Sequence, residues 1–140
     1  MNNNLVKALP TRDAVLPALM LLTASREKSI SELVNSLPQR MTHSDRIQNF
    51  ATEKSLTILA KAKEQPEDFL THLGFVDSAV TSIDTTDGLR MTLTNGNIIH
   101  FRPSGNAPEL RCYAESDSIE LAQDLVNHAL QHVQSVKITD

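Results

Sequence analysis

Apolar residues near the start of the chain recur at helical spacing and predict two short helices. Asp13 is a candidate N-cap, and the run from Ala14 to Leu22 is apolar around nearly its whole circumference, so this helix is expected to be covered on most sides. The run has about half the length of a membrane span, which predicts a buried helix rather than a membrane anchor. Ser29 and Glu32 match a capping box that starts a second helix, and Pro38 ends it.

The middle of the chain changes from helical to strand-like periodicity. Loose alternation from Gln39 to Phe50 predicts a strand, and Thr52 is a candidate cap for a following helix that Pro66 ends. A shorter amphipathic piece ends near Gly74. Beyond it, alternating apolar residues predict four short strands, marked by Val80 and Ile83, by Leu89, Met91 and Leu93, by Ile98 and Phe101, and by Leu110, Cys112 and Ala114.

Turn dipeptides and a final helix complete the predicted fold. Asp87-Gly88 and Asn95-Gly96 tolerate positive φ, so the strands beside them are expected to pair as antiparallel hairpins. The segment from Ser118 to Val133 has apolar residues along one side and predicts a helix that covers one sheet face. The predicted class is α+β: an antiparallel four- to five-stranded sheet with helices packed on one face, preceded by an N-terminal helical segment.

Composition and charge exclude several classes of function. The chain has 140 residues, 40% of them hydrophobic and 21% charged, which is typical of one ordinary globular domain. A formal net charge of -4 argues against a nucleic-acid surface, so any anion site must be local. The single cysteine, Cys112, suits a reducing compartment, and Met1 to Asn4 do not resemble a secretory signal, so the cytoplasm is the expected location.

The loop that begins at Arg102 and ends at Arg111 has the composition of a phosphate site. A phosphate group favours forked cations, hydroxyl or amide donors and backbone N–H groups that it can approach closely. Arg102 and Arg111, Ser104 with Asn106, and Gly105 supply these in turn. The same composition also fits a plain connection between strands with both arginines solvated, and composition alone does not decide between the two.

The run RPSGNAPELRCYAE at 102–115, together with Thr86 to Arg90, closely resembles the C-terminal domain of the α-D-phosphohexomutase family of phosphomannomutases and phosphoglucomutases. Leu9 to Ala14 and Ser44 to Arg46 resemble the region where the third domain of that family meets the fourth. The resemblance implies that residues 1–37 end a third domain and that residues 38–140 form a TBP-like phosphate-binding domain. Asn106 and Ala107 stand where the family usually has Thr and Glu, which puts the role of that Glu in doubt.

That resemblance also implies what the chain lacks. The family transfers phosphate between C1 and C6 of a hexose with a phosphoserine and a Mg²⁺ held by an acidic loop, and neither a Ser-His-Asn-Pro run nor an Asp-Gly-Asp-Gly-Asp run is present. The chain alone is therefore expected to have no catalytic residue, metal site or cofactor. Its expected partners are a mannose or glucose phosphate and the remaining mutase domains, with a hinge near Pro38.

Several weaker signals favour structural roles. His128 and His132 are four apart on a predicted helix, but without a third ligand a solvated face is the preferred interpretation. Neighbouring residues in His43-Ser44-Asp45 point to opposite faces of a strand and cannot form a catalytic relay. His100 stays unassigned, and Cys112 is expected to be a buried, unreactive thiol.

Other functions stay open at this point. The apolar helix from Ala14 to Leu22 could make the chain an interaction module that self-associates. RNA binding by the sheet is disfavoured because the chain is acidic and offers Tyr113 as its single tyrosine for stacking. The sugar is undecided among mannose, glucose and glucosamine phosphates, so a phosphoglucosamine mutase domain is a further alternative.

Overall fold

The computed structural model describes residues 13–136. The chain divides into two compact units, with the division after Gln39. Within the described range, no helix is both long enough and apolar enough to cross a membrane.

The first unit contains helices α1, Val15–Ala24, and α2, Ile30–Asn35. The prediction that Asp13 is the N-cap is wrong by one position: Ala14 is the cap, although Asp13 Oδ1 accepts a hydrogen bond from the Val15 N–H at 2.8 Å. The capping box is confirmed, because Ser29 and Glu32 bond each other's backbone amides. The prediction that the first helix is buried is wrong: α1 has no buried residue, Leu16 is half-buried, and its other large apolar side chains are exposed.

The second unit is built on one five-stranded sheet, in which every neighbouring pair is antiparallel. Its order is β1-β5-β4-β3-β2, so the strand that comes first along the chain joins one edge beside the last. The strands are β1 Met41–Gln48, β2 Val80–Asp84, β3 Leu89–Leu93, β4 Ile98–Pro103 and β5 Glu109–Ser116. The two predicted hairpins are present as the β2–β3 and β3–β4 pairs.

Three helices follow or separate these strands: α3 Thr52–Glu64, α4 Pro66–His72 and α5 Ile119–Val133. The prediction that Thr52 caps α3 is wrong, since Ala51 is the N-cap and makes no side-chain cap bond. Pro66 ends α3 as predicted and is itself the first residue of α4, where its missing N–H has no helical partner to lose. Ser118 caps α5 by accepting the Leu121 N–H at 3.1 Å.

The core lies between these helices and one face of the sheet, which confirms the predicted α+β class. Alternate residues of β3 and β5 are buried, while the residues between them are half-exposed. The strongest contributors are fully buried side chains from both layers: Ile58, Leu70, Leu73, Leu89, Met91, Ile99, Phe101, Leu110 and Val126. We call the other side of the sheet the polar face; it carries the side chains of Arg46, Arg90, His100, Arg102, Arg111, Tyr113 and Glu115.

Candidate phosphate-binding site

Three arginines of the polar face lie at one level of the sheet. The Cα partner of Arg111 on β5 is Arg102 on β4, and its partner on the opposite side is Arg46 on β1. Directly opposed residues of an antiparallel pair point to the same face, so the three side chains leave the sheet side by side. This level lies close to the end of the sheet where β4 runs into the 104–108 loop.

Arg102 is held towards the connection between β2 and β3. Its Nε lies 3.0 Å from Oδ2 of Asp87, and the two side chains are 44% and 61% exposed. His100, one level along β4, packs against Tyr113 with the two rings tilted by 32°, and its Nε2 is within hydrogen-bond distance of the main-chain oxygen of Asp87. Arg102 therefore has an exposed counterion that a stronger anion can replace.

The loop after Arg102 is fixed mainly by its own backbone. The Ser104 N–H donates to Glu109 O at 2.9 Å, and the Glu109 N–H donates to Ala107 O at 2.8 Å. Ser104 is only 8% exposed, and its Oγ accepts the Asn106 N–H at 3.4 Å. These backbone hydrogen bonds close the loop on itself, and Ser104 is largely buried within it.

Gly105 lies at the open side of this bend. Its φ is not in the left-handed region, and a Cβ built there would meet no atom within 4 Å. The backbone conformation therefore does not require glycine at this position. What the missing side chain provides is free space around the loop backbone, which is the feature a closely bound anion uses.

A groove of about 460 Å³ runs between α3, the β2–β3 connection and this loop. Arg102, Ser104 and Gly105 line it, and Asn106 and Arg111 do not. Three of the five predicted site residues therefore share one cavity. Asn106 is next to them along the chain, and Arg111 is next to Arg102 across the sheet.

Arg111 faces a different hollow, of about 270 Å³, which it lines with Ser44, Asp45, Arg46 and Tyr113. Its Nη2 lies 3.8 Å from Oε2 of Glu109. The backbones of Arg102 and Arg111 are thus paired, but their guanidinium groups are directed to two different carboxylates, Asp87 and Glu109.

The weaker sequence signals have structural explanations. His43 and Ser44 pair with Ala114 and Tyr113 on opposite faces of the sheet, which confirms that they form no relay. Cys112 is fully buried, and burial raises the pKa of its thiol to about 12, so it is the unreactive thiol that the sequence predicted.

The two histidines of α5 are less exposed than predicted. His128 and His132 are half-buried, and their ring centroids lie 4.2 Å apart. The ring centroid of His128 also lies 5.0 Å from that of Phe75. Packing against an aromatic ring, rather than solvation alone, accounts for this pair. Among residues 13–136, no group of three or more His, Cys, Asp or Glu side chains is placed to hold a metal ion.

Three charged residues of this region were not predicted from the sequence: Arg46, Asp87 and Glu109. Asp87 enters the sequence analysis in a turn dipeptide and in the Thr86 to Arg90 run, and Glu109 enters it in the loop, but neither is predicted to pair with an arginine. Arg46 is 63 positions from Glu109 along the chain, yet its Nη1 lies 3.4 Å from Oε2 of that residue. A charge on the predicted first strand was the available signal, but its neighbours depend on a strand pairing that local patterns do not specify.

The geometry defines an α+β domain with a glycine-containing, arginine-flanked loop at the end of an antiparallel sheet. The family model described as phosphoglucomutase/phosphomannomutase, C-terminal domain, matches residues 46–131. The chain belongs to this family.

The individual relatives agree with this assignment. The chain is 52% identical over 134 residues to a phosphomannomutase of Salmonella muenchen, a match that covers 96% of this chain and 28% of the relative. It is 38% identical over 130 residues to a phosphomannomutase of Sinorhizobium fredii, covering 91% and 27%. The chain therefore spans little more than a quarter of the length of these relatives.

The fold resembles part of a solved structure, a phosphoglucomutase/phosphomannomutase family protein from Burkholderia thailandensis. The TM-score is 0.56 at 21% identity, and the match covers 87% of this chain and 24% of the other.

Proposed function

We propose that residues 38–140 form the domain of a phosphohexomutase that holds the substrate's non-reacting phosphate, and that residues 1–37 belong to the end of the preceding domain. The observation that carries this proposal is the placement of Arg102, Ser104 and Gly105 around one groove, with Gly105 facing free space. Family membership supports it, because the matched range includes the whole loop.

Each residue of the proposed site has a separate task. Arg102 exchanges Asp87 for the phosphate, Ser104 and Asn106 donate from the bend, and Gly105 allows the backbone N–H groups to approach the anion. Arg111 adds a second guanidinium from the neighbouring strand. These contacts position the sugar and give remote binding energy for a reaction that the other domains carry out.

The transfer chemistry belongs to the remaining domains of the whole enzyme. Those domains would supply the phosphoserine and the Mg²⁺ that neutralises charge on the transferring phosphoryl group. Closure of this domain about a hinge near Pro38 would exclude water from the bound substrate. The substrate is a mannose or glucose phosphate, with a glucosamine phosphate as the alternative, and the reducing cytoplasm is the location that an unpaired Cys112 favours.

The test is a titration of the ¹⁵N-labelled 140-residue chain with mannose 1-phosphate at constant ionic strength. The amide resonances of Arg102, Gly105 and Asn106 are expected to shift, and free mannose at equal concentration is expected to leave them unchanged. Arg102→Gln should weaken binding roughly tenfold, the equivalent of one charge-assisted hydrogen bond. Arg26→Gln, in the first unit, is the matched control. Spectra that are identical with and without the phosphosugar would refute the proposal.

The exposed apolar side chains of α1 favour a second role, as a contact surface for another part of the enzyme. Val15 is 64% exposed and Leu22 61% exposed. Apolar side chains grouped in this way bind other apolar surfaces, and in the isolated chain such a surface is available on a second copy. Light scattering over a dilution series is expected to give an average mass that rises with concentration; a constant monomer mass argues against this role.

A further inference from the structure

The row formed by Arg46, Arg111 and Arg102 has more positive charge than its local carboxylates neutralise well. Neighbouring strands lie about 4.8 Å apart, and like charges directly opposite each other in a sheet are destabilising. Arg111 is directly opposite an arginine on both of its neighbouring strands, although the net charge of the chain is -4. An anion bound across this row would relieve the repulsion between its positive charges.

Glu109 is the ion-pair partner of two of these arginines, and both contacts are long. The same oxygen, Oε2, lies 3.4 Å from Arg46 Nη1 and 3.8 Å from Arg111 Nη2. The first distance is at the long end for a hydrogen bond and the second is beyond it. Since each guanidinium has five N–H donors, most donors of Arg46 and Arg111 are not used by Glu109.

The hollow beside this pair has room and further polar groups. It measures about 270 Å³ and is lined by Arg46, Arg111, Ser44 and Tyr113, together with Asp45. Ser44 and Tyr113 are cross-strand partners on the polar face, one level from the arginines. The Asp45 carboxylate accepts the Arg46 backbone N–H through Oδ1 at 2.8 Å. Against this one acceptor, two forked cations and two hydroxyl-bearing side chains around the same space form a set of donors suited to the oxygens of a phosphate group.

From this arrangement we infer that Arg46 is a phosphate-binding residue, which acts with Arg111 from the first strand of the domain. This inference rests on the proposed function and extends it, because it adds a residue outside the loop and assigns Arg111 a direct partner. Glu109 then occupies the two guanidinium groups when no ligand is bound. The recognised chemistry is a phosphate monoester or inorganic phosphate, and the sugar is not contacted by Arg46 in this assignment.

The experiment compares Arg46→Gln, Arg46→Lys, Arg102→Gln and Arg90→Gln in the full 140-residue chain. Arg90 is the matched control because it lies on the same face and forms its own ion pair, with Glu115 at 3.2 Å. Inorganic phosphate and mannose 1-phosphate are titrated by NMR at constant ionic strength. Urea unfolding is expected to give each variant a midpoint at or slightly above that of the wild type. The Arg46, Arg102 and Arg90 side chains are 50%, 44% and 38% exposed, so their ion pairs contribute little to stability, and loss of Arg46 also removes a repulsion with Arg111.

Arg46→Gln is expected to weaken both ligands roughly tenfold, and Arg46→Lys is expected to weaken them less, because lysine keeps the charge but not the forked donors. Arg90→Gln is expected to leave both affinities unchanged. If Arg46→Gln binds as wild type does while Arg102→Gln is weakened, the inference fails and the proposed function stands. If Arg46→Gln and Arg90→Gln lose the same amount of affinity, the loss is an effect of general surface charge, and the inference is overturned. If no phosphate binds to the wild type, both fail.

Discussion

Gly88 is the position where a single methyl group should disturb both the fold and the proposed site. Its φ is +96°, and a Cβ placed there would lie 2.2 Å from Phe101 O and 3.1 Å from the Cα of Arg102. The left-handed conformation costs alanine about 1–2 kcal/mol, and the forced shift of the main chain adds about 1–3 kcal/mol. Gly88→Ala is therefore expected to lower the free energy of unfolding by about 2–5 kcal/mol.

Gly96 provides the matched control for this prediction. Its φ is +80°, but a Cβ added there would meet no atom within 4 Å. Gly96→Ala therefore carries the conformational cost alone, about 1–2 kcal/mol. The difference between the two variants isolates the clash with β4.

Urea unfolding followed by far-UV circular dichroism is the suitable assay, since the chain has no Trp and 1 Tyr. Gly88→Ala should unfold at a lower urea concentration than Gly96→Ala, with the same slope. It should also weaken phosphate binding, because the atoms that must move include the backbone of Arg102. Equal midpoints for the two variants would show that the β2–β3 connection can move to accommodate the added methyl group with no loss of stability. That result would refute the reasoning.

Three further predictions test separate parts of the chain. Gly105→Ala should leave the urea midpoint unchanged, because its φ is ordinary and its surroundings are open, but should weaken phosphate binding in an NMR titration; unchanged affinity would contradict the role of that space. Cys112 should react with a thiol reagent at pH 8 only after unfolding in urea, because burial raises its pKa to about 12, and fast reaction of the native chain would contradict this. Hydrogen bonds from the Ser29 hydroxyl and backbone N–H lower the pKa of Glu32, so its contribution to the stability of α2 is complete above the usual carboxyl pKa and is lost as the pH falls through the lowered value. Circular dichroism against pH should detect that loss, and Glu32→Gln should abolish it.

The sheet was predictable because its signals are local. Buried and half-exposed residues alternate along β3 and β5 as their sequence does, and the glycines at 88 and 96 mark both hairpin connections. Errors arose where one residue decides a boundary. Thr52 has the right chemistry for a cap, yet Ala51 occupies that position because the chain enters α3 one residue earlier.

The proposed site was only partly predictable, because its charges come together through pairings that are distant along the chain. The loop residues could be found from composition and resemblance, since they are contiguous. Arg46 could not, because its placement beside Arg111 requires β1 to pair with β5 in one particular register. Asp87 likewise reaches Arg102 only after the β2–β3 connection has folded over β4.

The counterions already present set the expected strength of phosphate binding by this domain alone. A ligand must displace Asp87 from Arg102 and Glu109 from Arg111. The first pair is exposed and the second is long, at 3.8 Å, so each is taken as a weak ion pair worth about 0–1 kcal/mol. A phosphate forms charge-assisted hydrogen bonds worth about 1.5–3 kcal/mol each in return. Two such exchanges leave a net gain of about 1–6 kcal/mol, which centres the expected dissociation constant in the millimolar range. Tighter binding requires that water be excluded from the arginines, and the surfaces that could exclude it would belong to the rest of the enzyme.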